Sequence, residues 1–193
     1  MSTIRPDVVI YTTGHSNSRP EEIIRLLEKH QIRILADVRS VPYSQYAPLF
    51  NRETFEAALG KRGIKYRFFG DNLGGRPQDP SCYKSGQLPT GKADYLHLVD
   101  YEEVARRPKF RNGIERLLQL AAERRTAIMC TEEDPRHCHR HHLIAVNLLA
   151  MDARVRHIRH TKQGDFTEDA ALVIEKEKSK ADKVEQLDLL GLG

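Results

Sequence analysis

No apolar run in this 193-residue chain approaches the length that crosses a bilayer, which argues against a helical membrane protein or a membrane partner. Cysteine is scarce, with only Cys82, Cys130 and Cys138, and the first residues, Met1-Ser2-Thr3-Ile4-Arg5-Pro6-Asp7, lack the apolar stretch of a secretion signal. An odd, small number of thiols without such a signal excludes a disulfide-framed secreted scaffold and predicts reduced cysteines in the cytoplasm. Neither sign of charge dominates: 31 Lys and Arg stand against 27 Asp and Glu, a net +4. Acidic residues are interleaved almost everywhere, so there is no strong basic patch. The small excess, with a pI of about 9.0, leans towards polyanionic partners. Internal repeats and low-complexity blocks are also missing, which excludes solenoids and disordered arrays.

What remains is a composition of ordinary soluble proteins, 39% hydrophobic and 30% charged, at a length that supports one full core. Val8-Val9-Ile10-Tyr11-Thr12-Thr13 is β-branched and aromatic, as a buried strand requires. Gly14-His15-Ser16-Asn17 follows as a turn. Ser18, with Glu21 three residues on and Pro20 between, predicts a helix start, and Ile23, Ile24, Leu26 and Leu27 give that helix an apolar face. Ile34–Val38 reads as the second strand, Asn51 as the cap of a second helix, Ile64–Phe69 as the third strand. Gly70 to Gly91 is rich in Gly and Pro and too long for an ordinary connection, which suggests a lid or binding loop. Helical patterns over 95–104 and 110–124 lead to a fourth strand at Thr126–Cys130 and a fifth at Val155–Arg159.

Alternating strands and helices predict a single three-layer α/β domain, with a mainly parallel sheet of about five strands and helices on both faces. That domain spans residues 1–164, and residues 165–193 form a charged helical extension. The carboxyl ends of parallel strands share one edge. Gly14-His15-Ser16, Asp37-Val38-Arg39 and the segment after Cys130 are therefore expected to converge there.

The segment Cys130-Thr131-Glu132-Glu133-Asp134-Pro135-Arg136-His137-Cys138-His139-Arg140-His141-His142 holds two of the three cysteines and four of the nine histidines. Asp134-Pro135 reads as a cap and first helical residue, which puts Cys138 in the first turn. There the helix dipole and Arg140 favour a thiolate. A nucleophilic Cys138 with His139 or His15 as base is one chemistry for this pattern. Glu132, just past a strand end, is a second nucleophile or general base, suited to attack at a sugar carbon or to activation of water. Cys130, Cys138, His139 and His15 also make a soft ligand set for zinc, although the C-x-x-C spacing of well-attested zinc sites is missing; zinc is thus a possible cofactor but not the favoured reading. The bland alternative is that both thiols simply pack in the core. Cys130 and Arg136 have the spacing of a phosphatase loop, but carboxylates stand where the phosphate would sit, so that mechanism is rejected.

Elsewhere, Asp37 and Arg39 alternate onto the same side of a strand end and are placed to orient a substrate or to pair. Leu73-Gly74-Gly75-Arg76 offers close backbone approach plus a cation, as an anion site needs. Ser16, Arg39, Gly74, Gly75, Arg76, Cys130 and Arg140 are the expected binding residues; Glu132, Cys138, His139, His15 and Asp37 the expected catalytic ones. Tyr43, Tyr46 and Phe50 beside Arg39 and Arg52 supply the mixture that base stacking requires, whereas Tyr66, Phe68 and Phe69 read as core. Gln186-Leu187-Asp188-Leu189-Leu190 looks like the short peptide by which bacterial repair proteins dock on the sliding clamp, or else like a terminal helix packing its leucines.

Together, Gly14-His15-Ser16, Asp37-Val38-Arg39, Leu73-Gly74-Gly75 and Cys130-x-Glu132 with Cys138-His139-Arg140 resemble the prokaryotic family known as domain of unknown function four-eight-eight. The resemblance covers about residues 8 to 160. It implies an α/β domain and a common site but no established activity. The residues themselves lead to an enzyme, of hydrolase or glycosyl- or phosphoryl-transferase type, acting on a nucleotide, nucleic acid or other anionic small molecule. A DNA-maintenance adaptor and a zinc or redox sensor are the alternatives.

Overall fold

A computed structural model describes residues 8–91 and 93–189. Five strands run parallel: β1 (Val9–Gly14), β2 (Ile34–Asp37), β3 (Lys65–Phe68), β4 (Thr126–Cys130) and β5 (Arg154–Thr161). A sixth, β6 (Gly164–Asp169), pairs antiparallel with β5, giving the order β3-β2-β4-β1-β5-β6. The expected count of about five strands is thus exceeded by one. The extra strand occupies the segment where the charged extension was expected to begin. Its pattern of mostly exposed and half-buried residues is that of an edge strand, which carries little apolar periodicity.

The helices are α1 (Pro20–Lys29), α2 (Arg52–Gly60), α3 (Gly70–Leu73), α4 (Tyr95–Leu98), α5 (Tyr101–Arg106) and α6 (Pro108–Glu123). After β4 comes α7, π-wound over Arg140–Ala145 and α-helical over Val146–Leu149, and after β6 comes α8 (Ala170–Leu189). On one face of the sheet, Ile23, Leu26 and Leu27 of α1 and Phe55 and Leu59 of α2 pack on Tyr11, Leu35, Ala127 and Met129. On the other, Leu73, Ile114, Leu117, Leu143, Ile144 and Leu148 pack on Ile10, Ala36, Ile128 and Val155. Each such fully buried aliphatic side chain contributes about 1.5–3 kcal/mol. Neighbouring strand residues feed opposite layers, as the pleat dictates.

Three local expectations shift. Helix α1 is capped at Arg19, whose backbone N–H donates to Glu22 Oε2 at 2.8 Å, one residue past the predicted Ser18–Glu21 box. The Gly70–Gly91 stretch is not all loop: it opens with α3 and carries a 3-10 turn at Pro80–Cys82. The segment Pro135–His137 is a single 3-10 turn capped by Asp134, after which the chain extends at Cys138 before α7 begins. Gln186 to Leu189 close α8 in backbone; Leu190 lies outside the described residues. Among the described residues no helix is long and apolar enough to cross a membrane.

Candidate active site

The chain leaves β1 towards one face of the sheet, through α1, and leaves β4 towards the other, through α7. These adjacent strands therefore diverge at their carboxyl ends, which is where open α/β sheets form a crevice. Gly14 is paired with Cys130 at that point. The pairing continues beyond the strands, His15 N donating to Cys130 O at 3.2 Å and Ser16 N to Thr131 O at 2.6 Å. A Cβ on Gly14 would overlap the Glu132 carbonyl, so only glycine lets the loop cross here. Ser16 has φ +39°, a left-handed conformation rare for a residue with a side chain and often found at functional sites.

The cleft has a volume of about 1040 Å³. His15, Ser16, Arg39, Gly75, Arg76, Cys130, Glu132, Cys138 and His139 all line it, drawn from four separate segments. Asp37, Gly74 and Arg140 do not. They stand behind the wall and hold it.

Asp37 is fully buried at the end of β2. It accepts from Arg39 Nε at 3.0 and 3.1 Å, from Arg39 NH2 at 2.6 Å and from the Tyr66 hydroxyl at 2.7 Å. Burial works against the Arg39 charge, but these bonds outweigh it and keep the guanidinium firmly protonated. Burial, and then the Asp37 carboxylate, push the Tyr66 hydroxyl up, so it stays a donor. Arg39 NH2 also donates to the Phe50 carbonyl at 2.8 Å, which leaves NH1 facing His15 Nε2 at 3.4 Å.

The tautomer of His15 follows from its partners. The Ser16 carbonyl, 3.1 Å from Nδ1, can only accept, so Nδ1 carries the proton and Nε2 is the lone pair facing Arg39. Burial, then the Arg39 charge, lower the His15 pKa to about 4, and the ring stacks on Phe50 at 4.1 Å. His15 is therefore a neutral acceptor at physiological pH.

At the floor of the cleft, His139 Nδ1 lies 3.7 Å from Cys130 Sγ and 3.8 Å from Cys138 Sγ. Its Nε2 donates to the Leu73 carbonyl at 3.1 Å. Burial opposes ionisation of Cys138. It is overcome by the Cys130 thiol, Arg140 and His139, and the Arg140 backbone N–H reaches Sγ at 3.5 Å; the net direction is strongly down. Cys130 moves the other way, held as a thiol by donating to Cys138 and by burial. Cys138 thus lies just ahead of α7, where backbone donors and the dipole stabilise an anion.

The two glycines of Leu73-Gly74-Gly75 leave room for neighbouring groups, Gly75 for this imidazole. A Cβ on Gly75 would sit 2.6 Å from His139 Cγ and 2.7 Å from Nδ1. A Cβ on Gly74 would collide with the Gly70 carbonyl and with Ser40 Oγ, which accepts from Arg76 N. Neither glycine has a positive φ, so the requirement is space. Gly75→Ala should therefore tilt the His139 ring out of register with both sulfurs. We expect a changed Nδ1 chemical shift and altered reactivity of Cys138, with little loss of thermal stability; an unchanged imidazole signal would contradict this.

Arg140 is completely buried. Nε donates to Thr12 Oγ1 at 3.3 Å, NH2 to the Glu133 carbonyl at 2.7 Å and NH1 to the Glu132 carbonyl. It clasps the loop from below. Glu133 is engaged from the side by Arg159, at 2.7 and 2.8 Å, and Arg159 also holds Glu168 at 2.7 Å and Asp134 at 3.3 Å. Sequence reasoning missed Arg159; its place on an alternating strand resembles that of any solvated arginine. It also missed Thr12 and His157. His141 belongs to a separate chain of bonds: its Nδ1 accepts from His157 at 2.9 Å and its Nε2 donates to Glu177 at 3.1 Å, while the Thr12 hydroxyl bonds His157 at 2.7 Å.

Glu132 differs from its neighbours. Its carboxylate lines the cleft and has no hydrogen bond or ion pair to another described side chain. The residue is exposed overall; partial desolvation of its carboxylate, and then the Cys138 charge, push its pKa up. Arg19, Arg76 and His137 stand at the rim, with Arg76 over the Tyr95 ring at 4.7 Å. Tyr43 and Tyr46 line one wall, and Tyr46 is 89% exposed.

These features define an open, doubly wound α/β protein with a polar cleft at its strand carboxyl ends. The chain belongs to the family described as Domain of unknown function DUF488, whose model matches residues 19–147, more than half of its length. That span includes Asp37-Val38-Arg39, Leu73-Gly74-Gly75 and Cys130 to Arg140, and begins just after Gly14-His15-Ser16. No curated protein and no solved structure matches the chain.

Proposed function

We propose that this protein is an enzyme of hydrolase or glycosyl- or phosphoryl-transferase type that acts in the cleft on a nucleotide, nucleic acid or other anionic substrate. The observation that carries the reading is Glu132. Every other carboxylate of this loop is neutralised by an arginine, whereas Glu132 is held by its backbone and left without a side-chain partner. An unpaired carboxylate facing the cleft suits a general base or a nucleophile at an acetal carbon.

The other residues take roles that follow from their geometry. Arg76 and Arg19 bind the anionic group at the rim. Tyr46 and Tyr43 offer exposed faces on which a base stacks. Arg39 has Nε and NH2 occupied and acts through NH1, which faces His15 at the cleft wall. Asp37 and Arg140 are positioning residues, one holding Arg39 and the other the Glu132 loop. His15, being neutral, is able to accept a proton from substrate or water once its long contact with Arg39 is given up. A cytoplasmic setting belongs to the same proposal, since all three cysteines are free thiols. The clamp-docking reading of Gln186–Leu190 gains no support, because its last residue lies outside the described structure.

The test is a panel of nucleoside mono- and diphosphates, dinucleotides and oligonucleotides, screened for binding by calorimetry and for products by chromatography. Glu132→Gln should retain binding and lower kcat by about 10²–10⁴-fold, the usual range for a lost general base. Arg76→Ala should act mainly on KM. Failure of every anionic compound to bind, or full kcat in Glu132→Gln, would remove the proposal.

A further inference from the structure

We infer that Cys130, Cys138 and His139 form a zinc site at the floor of the cleft, with its fourth position open to the substrate space. This goes beyond the enzymatic reading and does not depend on which substrate the cleft takes.

The donor atoms of the three buried residues lie within 4.8 Å of one another. Tetrahedral zinc, with bonds of about 2.3 Å to sulfur and 2.0–2.1 Å to nitrogen, requires sulfur–nitrogen edges of about 3.6 Å. The observed separations are 3.7 and 3.8 Å. They are long for hydrogen bonds between a thiol and an imidazole, and close to the edges of a coordination tetrahedron.

The orientation of His139 agrees. Its Nε2–H is committed to the Leu73 carbonyl, so Nδ1 presents its lone pair to both sulfurs. Metal-bound histidines regularly donate their second ring nitrogen to a carbonyl in this way, which sets the tautomer and raises ligand basicity. Gly75 leaves room for the ring to lie where it does. The Arg140 backbone N–H points at Cys138 Sγ, as it would to a metal-bound thiolate.

Charge supplies a further argument. Arg140 is fully buried, and all its acceptors are neutral; among the described residues it has no carboxylate in ion-pair contact. A buried guanidinium needs a counter-charge. Two thiolates, a neutral imidazole, a divalent zinc and one hydroxide carry a single net negative charge, placed beside it. All three ligands also line the cleft, so a water in the fourth position would face the same space as Glu132. A three-ligand site with an open position is the arrangement of catalytic rather than structural zinc.

The experiment is elemental analysis of the full chain expressed with added zinc and purified without chelator under reducing conditions. About one zinc per chain is expected. Replacing it with Co²⁺ should give a thiolate-to-cobalt charge-transfer band and the intense visible bands of a four-coordinate site. Cys130→Ser and Cys138→Ser should each weaken metal affinity by more than about 100-fold, beyond what loss of an outer partner costs. Cys82→Ser, outside the cluster, should retain the metal. So should Glu132→Gln, which separates loss of this inference from loss of the enzymatic one. If the serine variants fail to fold, the cobalt spectrum of the wild-type chain decides alone. Background zinc after reconstitution, a featureless cobalt spectrum, or a Cys130–Cys138 disulfide form that binds no metal once reduced would each overturn the site.

Discussion

Arg140→Met should lower the unfolding free energy by about 3–5 kcal/mol, because three charge-assisted bonds to buried or half-buried acceptors are lost together. Thr12 Oγ1 and the Glu132 and Glu133 carbonyls all lose their donor, and the methionine thioether cannot replace it. Arg140→Lys should rescue only part of this, since an ammonium cannot span acceptors arranged around a planar fork. The damage should not be uniform. Amides of residues 131–134 should lose protection from hydrogen exchange before the strands do, because Arg140 ties that loop to β1 from beneath. Urea titration of the three proteins, followed by exchange mapping, makes the measurement. A cost below about 1 kcal/mol, or a loop no more labile than the sheet, would show that Arg159 and the backbone pairing hold the loop unaided.

The second large effect is acid destabilisation through three buried histidines. His15 is lowered to about 4 and His157 to about 2, and His141 is lowered as well; burial is the largest cause in each. A chain of bonds holds His157 and His141 in the neutral form, as the Ser16 carbonyl and Arg39 hold His15. Arg140, which only donates, stands at one end and the Glu177 carboxylate, which accepts, at the other, so the protons run one way: Arg140 to Thr12, Thr12 to His157, His157 to His141 and His141 to Glu177. A proton added to His157 would displace the Thr12 hydroxyl hydrogen from its acceptor and break the one-way order. In the unfolded chain these rings titrate near their ordinary pKa of about 6.5. Below that pH the unfolded state binds more protons than the folded one, so stability falls as pH falls. Above it the three contribute no slope.

At pH 5 each histidine whose folded pKa lies well below that pH costs about 2 kcal/mol. Set against the ~5–15 kcal/mol total of ordinary domains, the combined loss is a large part of the stability. Urea midpoints at pH 7.5 and pH 5 should therefore differ sharply, with a flat profile from pH 7.5 to 9. An unchanged midpoint at pH 5 would mean that these rings are solvated or already charged in the native protein.

How much of this was legible beforehand depends on whether a signal is local. Strands β1, β2 and β4 appear in the sequence because a strand buried on both faces must be almost continuously apolar, and β3 and β5 because apolar or aromatic residues alternate with charged ones. The convergence of Gly14-His15-Ser16 with the Cys130 loop was legible because parallel strands have their carboxyl ends on one edge. Strand β6 was not, since an edge strand needs no apolar alternation. For Leu73-Gly74-Gly75, local sequence shows that space is required but not which neighbours take it; at Gly75 it is His139, far along the chain.

Arg140 shows the same division. Its type and position next to Cys138-His139 mark it as part of a site, and sequence alone pointed its charge at a ligand. The π-wound start of α7 instead sends the side chain under the loop to Thr12. Likewise Asp37 and Arg39 share a side of β2 by simple alternation, but Tyr66 from β3 and the Phe50 carbonyl decide that they brace each other.

The amino-acid sequence on its own determined the layered α/β class, the strand edge that carries the site and most of the residues that line it, because periodicity and strand polarity are properties of short segments. Only the tertiary structure decided which of those side chains face the cleft, which stand behind it, and that Glu132, among the carboxylates of its loop, is left without a side-chain partner. Hydrogen-bond partners and burial depend on segments more than a hundred residues apart, and no local pattern encodes them.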